Sequence, residues 1–155
     1  MDEKLINLKA PAFTLPSSEK KPISSRDYRG KLLVVFFYEK DGTSSSILET
    51  EAFKDKYWEL VDENAAVLGI SNDAMKSHHR FIETHDLPYP LLSDMKHEVA
   101  ENYGVWLQKT MYGKQHWGME QVTFVIDKDQ IIRGILRNLK PHEHVEKSLE
   151  IIKDL

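Results

Sequence analysis

Six consecutive apolar residues, Leu32 to Phe37 (LLVVFF), constrain the fold of this chain more than any other feature. A β-branched and aromatic run of that length, entered through a turn at Arg29-Gly30, is the pattern of a strand buried on both faces. Such a strand needs a layer above and a layer below it, which means a central place in a sheet covered by helices. The run, extended at most by Tyr38, is also the longest apolar stretch in the chain. It is far short of the roughly 20 residues that a membrane helix requires, so no membrane association is expected.

The segments around the run alternate between strand and helix patterns. AAVLGIS, residues 65–71, reads as a second buried strand, PLLSD as a short one ending at 93, and QVTFVID with IIRGILRNL as a hairpin at the sheet edge, joined by Lys128, Asp129 and Gln130. ILETEAFKDKYWELVDEN places Leu48, Ala52, Tyr57 and Leu60 or Val61 at near-helical spacing, with Ser44, Ser45 or Ser46 as cap. Phe53, Tyr57 and Trp58 are expected to pack that helix on the sheet. Asn72 or Asp73 can cap a helix carrying Met75, His78 or His79 and Ile82, which Leu87-Pro88 stops. KHEVAENYG gives a short helix, and after Pro141 the residues Val145, Leu149, Ile152 and Leu155 form the apolar stripe of a last one. The start, punctuated by Pro11, Pro16 and Pro22, predicts a small hairpin or edge structure that covers a sheet edge. VWLQKTMYGKQHWG reads as an irregular passage with turns at Gly113 and Gly118.

This order describes one α/β domain over residues 1–155, a thioredoxin-like fold with a mixed central sheet and helices on both faces. Neither GxGxxG nor GxxxxGK[ST] occurs, so a nucleotide site has no motif to rest on.

Function is bounded first by what is missing. The chain has no cysteine among its 155 residues, which excludes disulfides, thiolate metal sites, Fe–S ligation and a cysteine nucleophile. A formal charge of −4 disfavours nucleic acid and anionic membranes as partners. The first ten residues, MDEKLINLKA, lead into no apolar h-region, so no secretory signal is visible and a cytoplasmic location is expected. Histidines cluster as His78, His79 and His85 around one helix and as His142 and His144 at the start of another. Adjacent helical residues point in different directions, so this spacing does not build a metal site, and no metal or cofactor is expected.

Two blocks carry a specific resemblance: FFYEKDGTSSSILETEAF, residues 36–53, and YGVWLQKTMYGKQHWGMEQVTFVIDKDQII, residues 103–132. Together with NLKAPAFTLPS, VLGIS and LPYPLLSD they resemble the bacterioferritin-comigratory or PrxQ branch of the peroxiredoxins, of the AhpC/TSA type. The resemblance implies a thioredoxin-like fold and a thiol peroxidase that reduces hydrogen peroxide and organic hydroperoxides with electrons from thioredoxin. In that family the first block runs FYPKDxTPGCTxE. Its Thr is retained as Thr43, but the peroxidatic cysteine falls on Ser46, the proline before the Lys-Asp pair on Glu39 and the Pro-Gly on Ser44-Ser45. A resolving cysteine five residues after the first falls on Glu51, and the catalytic arginine, two residues before the Thr of TFxID, falls on Gln121.

Each departure removes a physical effect. A helix N-terminus and an arginine lower a thiol pKa, while Thr and backbone donors orient the peroxide oxygens. A serine hydroxyl starts far less acidic, and a helix terminus supplies at most about 2 kcal/mol. Serine also cannot pass through a sulfenic acid, and Gln121 donates hydrogen bonds without a charge. The expectation is a peroxiredoxin-like protein that is catalytically inactive as it stands and has a binding or regulatory role. The alternative is a Cys-to-Ser form of an active thiol peroxidase, which explains Ser46 but not Glu39, Ser44-Ser45, Glu51 and Gln121. The pocket positions are therefore Thr43, Ser46, Gln121, Glu39 and Glu51, with hydroxyl capping expected at Thr43 to Ser46. A GxSxG elbow is absent, and Glu39 and Glu51 read as a rim that makes the pocket less hospitable to anions. Trp106, Tyr112, Trp117 and His116 are expected near the pocket mouth. A protein partner or self-association through that face follows, with thioredoxin a partner only if the family activity persists.

Overall fold

A computed structural model describes residues 4–155; residues 1–3, which the domain expected over 1–155 includes, lie outside the described residues. The LLVVFF run forms β3 (Leu32–Phe37), the middle of a five-stranded sheet. In chain order it follows the short N-terminal strands β1 (Thr14–Leu15) and β2 (Ile23–Ser24) and precedes α1 (Ser44–Asp55), α2 (Tyr57–Asp62), β4 (Ala65–Ser71), α3 (Met75–His85), β5 (Leu91–Ser93) and α4 (Glu98–Asn102). The chain continues through β6 (Trp106–Met111), β7 (Lys114–Met119), β8 (Val122–Ile126), β9 (Ile132–Leu136) and α5 (Pro141–Lys153). The sheet order is β5-β4-β3-β8-β9, with β3 parallel to β4 and antiparallel to β8, so it is mixed.

Alternation along β3 explains why every residue in it is apolar. Val34, Phe36 and Tyr38 face one core with Phe53, Leu60, Phe81, Val145 and Leu149 from α1, α2, α3 and α5. Leu33, Val35 and Phe37 face the other with Phe13, Ile23, Val99 and Tyr103. Helices thus cover both faces, and the thioredoxin-like arrangement expected from the sequence is present. The N-terminal strands pair with each other, and Ser17 bridges Leu92 on the outer edge of β5, so the edge is covered. No described helix is long and apolar enough to cross a membrane.

Several local expectations are corrected. Residues 106–119 form a two-stranded ribbon, not an irregular passage, turned at Tyr112 (φ 52°) and Gly113 (φ 76°). Two consecutive positive φ values are what a two-residue hairpin turn demands. Gly118 lies inside β7 and makes no turn. The helix after β3 divides at Lys56 into α1 and α2. Its buried stripe is Ser46, Glu49, Thr50 and Phe53, leaving Leu48 and Trp58 exposed. Of the expected apolar positions Leu60 is buried and Ala52 and Tyr57 pack against the core, whereas Leu48 faces outward because the inward face of α1 is mostly polar. Ala74 occupies the cap position of α3, and Asp73 turns back toward the loop before α1. Leu155 is exposed, whereas Val145, Leu149 and Ile152 are buried as expected.

Candidate functional site

The loop from β3 to α1 begins where Tyr38 continues the sheet by donating its N–H to the Ile70 carbonyl (3.0 Å). Asp41 pins the loop to α3: Tyr38 Oη donates to Oδ1 (2.6 Å) and Ser77 Oγ to Oδ2 (2.8 Å). His78 Nδ1 lies 2.8 Å from the same Oδ2, and its Nε2 lies 3.0 Å from the Leu92 carbonyl. Both ring nitrogens thus lie within hydrogen-bond distance of oxygen partners. Burial alone would raise the Asp41 pKa, but the bonds from His78, Tyr38 and Ser77 outweigh it and hold it below the usual carboxylate range. Asp73 Oδ2 accepts from the Asp41 N–H (2.8 Å) and Ser71 Oγ (2.7 Å). Asp41, Asp73 and His78 bring ligand-type atoms within 4.8 Å of one another. Those atoms are already engaged by protein partners, so the cluster works as a clamp on the loop.

Thr43 then caps α1, accepting the Ser46 N–H at Oγ1 (3.2 Å). Ser46 is fully buried, and its hydroxyl donates to the Thr43 carbonyl (3.0 Å) and lies 2.9 Å from Thr43 Oγ1, which donates to it. The hydroxyl is therefore satisfied within one helical turn. No acid or imidazole is among its bonded partners, and a nucleophile needs such a base.

Gln121, at the start of β8, reaches neither Thr43 nor Ser46 by a hydrogen bond. Its Nε2 donates to Glu49 Oε2 at 2.6 Å, one helical turn along α1. Glu49 is fully buried, and its other oxygen, Oε1, has no hydrogen-bond partner. Burial pushes the Glu49 carboxyl up to about 8, with the Thr123 hydroxyl opposing the shift. His144 of α5 stands beside it, Nδ1 3.8 Å from Oε1 and 2.8 Å from Thr123 Oγ1. Burial lowers the His144 pKa, against opposing effects of the Leu139 backbone and Glu143. Proximity would suggest an ion pair. The directions of both shifts instead describe a neutral acid beside a neutral imidazole.

The remaining expected positions point outward. Glu39 pairs with Lys109 Nζ (3.4 Å) on the β6–β7 ribbon, and that ammonium also donates to the Met119 carbonyl. Glu51 pairs with His85 Nδ1 (3.3 Å) across α1 and α3. Glu39 and Glu51 thus have separate partners, and of the five positions only Thr43 and Ser46 bond each other directly. Trp106 and Trp117 line a concavity with His97 and Glu101 instead of the mouth above Ser46. Tyr112 projects at the ribbon turn almost fully exposed, and His116 is exposed opposite Lys109 in register. Five cavities of about 260 to 520 Å³ among the described residues are lined by residues other than Thr43, Ser46, Glu49 and Gln121.

Glu49, Thr123 and His144 are the site residues that sequence reasoning passed over. One signal was available: the glutamate that ends FYPKDxTPGCTxE, three residues after the cysteine position, falls on Glu49. Nothing local in the sequence announces that α5 delivers His144 to the same place.

The AhpC/TSA family model matches residues 6–135. Peroxiredoxin Bcp of Bacillus subtilis is 35% identical over 150 residues, covering 97% of this chain and 96% of its own. Peroxiredoxin Bcp of Escherichia coli is 33% identical over 145 residues, covering 94% and 93%. Among solved structures, Peroxiredoxin Q of Xanthomonas campestris superposes with a TM-score of 0.86 at 30% identity over 92% of this chain and 90% of that one. Peroxidoxin BcpB of Mycobacterium tuberculosis gives 0.86 at 27% identity over 97% of both. With the matched fold and the loop, cap and strand placed as above, the chain belongs to the AhpC/TSA family, as a Bcp/PrxQ-like member with serine where the family's peroxidatic cysteine is expected.

Proposed function

We propose that this protein no longer turns over peroxide and acts through binding, with Thr43, Ser46 and Gln121 as remnants of a peroxide pocket. One observation carries the reading: Gln121, at the arginine position, is committed to the buried Glu49, while the Ser46 hydroxyl is enclosed and satisfied. Position 46 therefore has no sulfur to oxidise, and position 121 has no charge to stabilise an anion. A binding role is supported by the ribbon, where Leu107 and Met111 stand exposed on the same face as Lys109, which reaches Glu39 beside the pocket loop. A protein partner or a second copy docking on that face fits these apolar positions. The reading treats residues 1–155 as one domain working in the cytoplasm, with no cofactor.

The retained contact between Thr43 and position 46 favours a second reading, a Cys-to-Ser form of an active thiol peroxidase. The Gln121–Glu49 bond counts against it, because a change at position 46 does not bring a glutamine to position 121. A cysteine codon at position 46 of the native gene would establish this second reading, and a serine codon would exclude it. The direct test supplies the chain with hydrogen peroxide, thioredoxin, thioredoxin reductase and NADPH. NADPH oxidation is expected to match a control without the protein, and robust turnover would overturn the proposal.

A further inference from the structure

The ribbon carries a second surface on its opposite face. In the β6–β7 register Trp106 opposes Met119 and Trp117 opposes Gln108, so both tryptophans share the face away from Lys109. There they meet the start of α4. The His97 ring lies flat on Trp106, with centroids 4.2 Å apart and planes within 1°, and its Nδ1 lies 3.4 Å from Glu101 Oε2. His97 takes a left-handed backbone conformation (φ 52°), which a non-glycine residue adopts at a cost. His97, Glu101, Trp106 and Trp117 together line a concavity of about 300 Å³. Trp117 is more than half exposed and, unlike the exposed Trp58, lines a concavity, and tryptophan is enriched at recognition hot spots.

The lining selects by charge. Indole faces attract cations through the ring quadrupole, and the Glu101 carboxylate adds a full negative charge beside them, with Glu98 in the same helical turn. Lys109, the cation of this part of the ribbon, is on the other face and held by Glu39. Among cations, a guanidinium fits better than an ammonium: it is planar, so it stacks on an indole, and it presents a fork of N–H donors to a carboxylate while shedding water more readily. We propose that this concavity receives an arginine side chain presented by a partner polypeptide. The site is separate from the Ser46 pocket in its bonding: the hydrogen bonds and ion pairs of Ser46, Glu49 and Gln121 go to other residues.

The test uses the full chain and follows the indole N–H resonances of Trp58, Trp106 and Trp117 by NMR at constant ionic strength. N-acetyl-arginine amide, and a Gly/Ser peptide bearing one arginine, are expected to shift Trp106 and Trp117 saturably and leave Trp58 in place. N-acetyl-lysine amide is expected to bind roughly fivefold more weakly. Glu101→Gln is expected to weaken the arginine probes roughly tenfold, and Trp117→Ala to abolish the saturable shift at Trp106. Both positions are exposed, and an unchanged Trp58 signal reports that the variants keep the fold. Unsaturable shifts, equal responses to arginine and lysine, or binding indifferent to both substitutions would overturn the site. Binding of the amide but not of the peptide would overturn the assignment to a polypeptide partner.

Discussion

Ser46→Cys is expected to remain at least about 100-fold slower in peroxide reduction than Ser46→Cys combined with Gln121→Arg, measured as single-turnover peroxide loss with dithiothreitol as reductant. The single variant restores sulfur and places it at the N-terminus of α1, where the helix dipole helps a thiolate by at most about 2 kcal/mol. Burial works against that gain, since Ser46 is fully enclosed and a thiol there loses hydration on ionising. The arginine position supplies no charge to balance the loss, because it holds a glutamine bonded to Glu49. An arginine at 121 supplies charge to both neighbours: it pairs with Glu49, which then ionises, and it stabilises negative charge on sulfur and peroxide oxygen. Removing one such donor from an anion-stabilising site typically costs roughly 100- to 1000-fold in rate. Equal rates for the single and double variants would show that the charge at position 121 is not what the site lacks.

The second large effect is on stability. A carboxyl whose pKa is raised on folding is protonated in the native state while the unfolded chain has already ionised, so stability falls as pH rises between the two values. For Glu49 the window runs from the ordinary 4.5 up to about 8. His144 acts in the opposite sense below its ordinary 6.5, because the unfolded chain takes up a proton that the buried ring resists. There the two contributions offset each other. Above 6.5 Glu49 acts without that opposition, at about 1.4 kcal/mol per pH unit. Urea unfolding should therefore show a loss of about 2 kcal/mol between pH 6.5 and 8. Glu49→Gln mimics the protonated acid and can keep the bond from Gln121, so it should remove that loss and exceed the parent in stability at alkaline pH. A Glu49→Gln variant with the same pH slope as the parent would place the titration elsewhere.

What could be read from the sequence divides along physical lines. The LLVVFF and AAVLGIS runs were legible as central strands because full burial on two faces forces apolar residues at every position. The Pro-punctuated start was legible as an edge cover because proline suits edges and little else in a sheet. The face of α1 was legible by periodicity only in part: Ala52 packs on the core as expected, but the helix also turns Ser46, Glu49 and Thr50 inward and leaves Leu48 outside. A polar inward stripe is a sign of a site, and apolar counting is blind to it. The ribbon was missed for a related reason: exposed on much of both faces, it has no core to impose alternation. Thr43 and Ser46 could be placed from the family motif, which fixes a cap and its helix. That Gln121 turns to Glu49, and that His144 arrives from a helix some twenty residues further on, are tertiary facts with no local signature.

We propose that the family pocket has become a closed, uncharged joint between α1, β8 and α5. Its most direct test is the titration of Glu49 by 13C NMR, with the side-chain carboxyl labelled and Glu49→Gln used to assign the resonance. The account predicts a carboxyl that is protonated at pH 7 and titrates near 8. A Glu49 carboxylate already ionised at pH 7, with a midpoint near the ordinary 4.5, would contradict it, for the site would then hold a cation or open water after all.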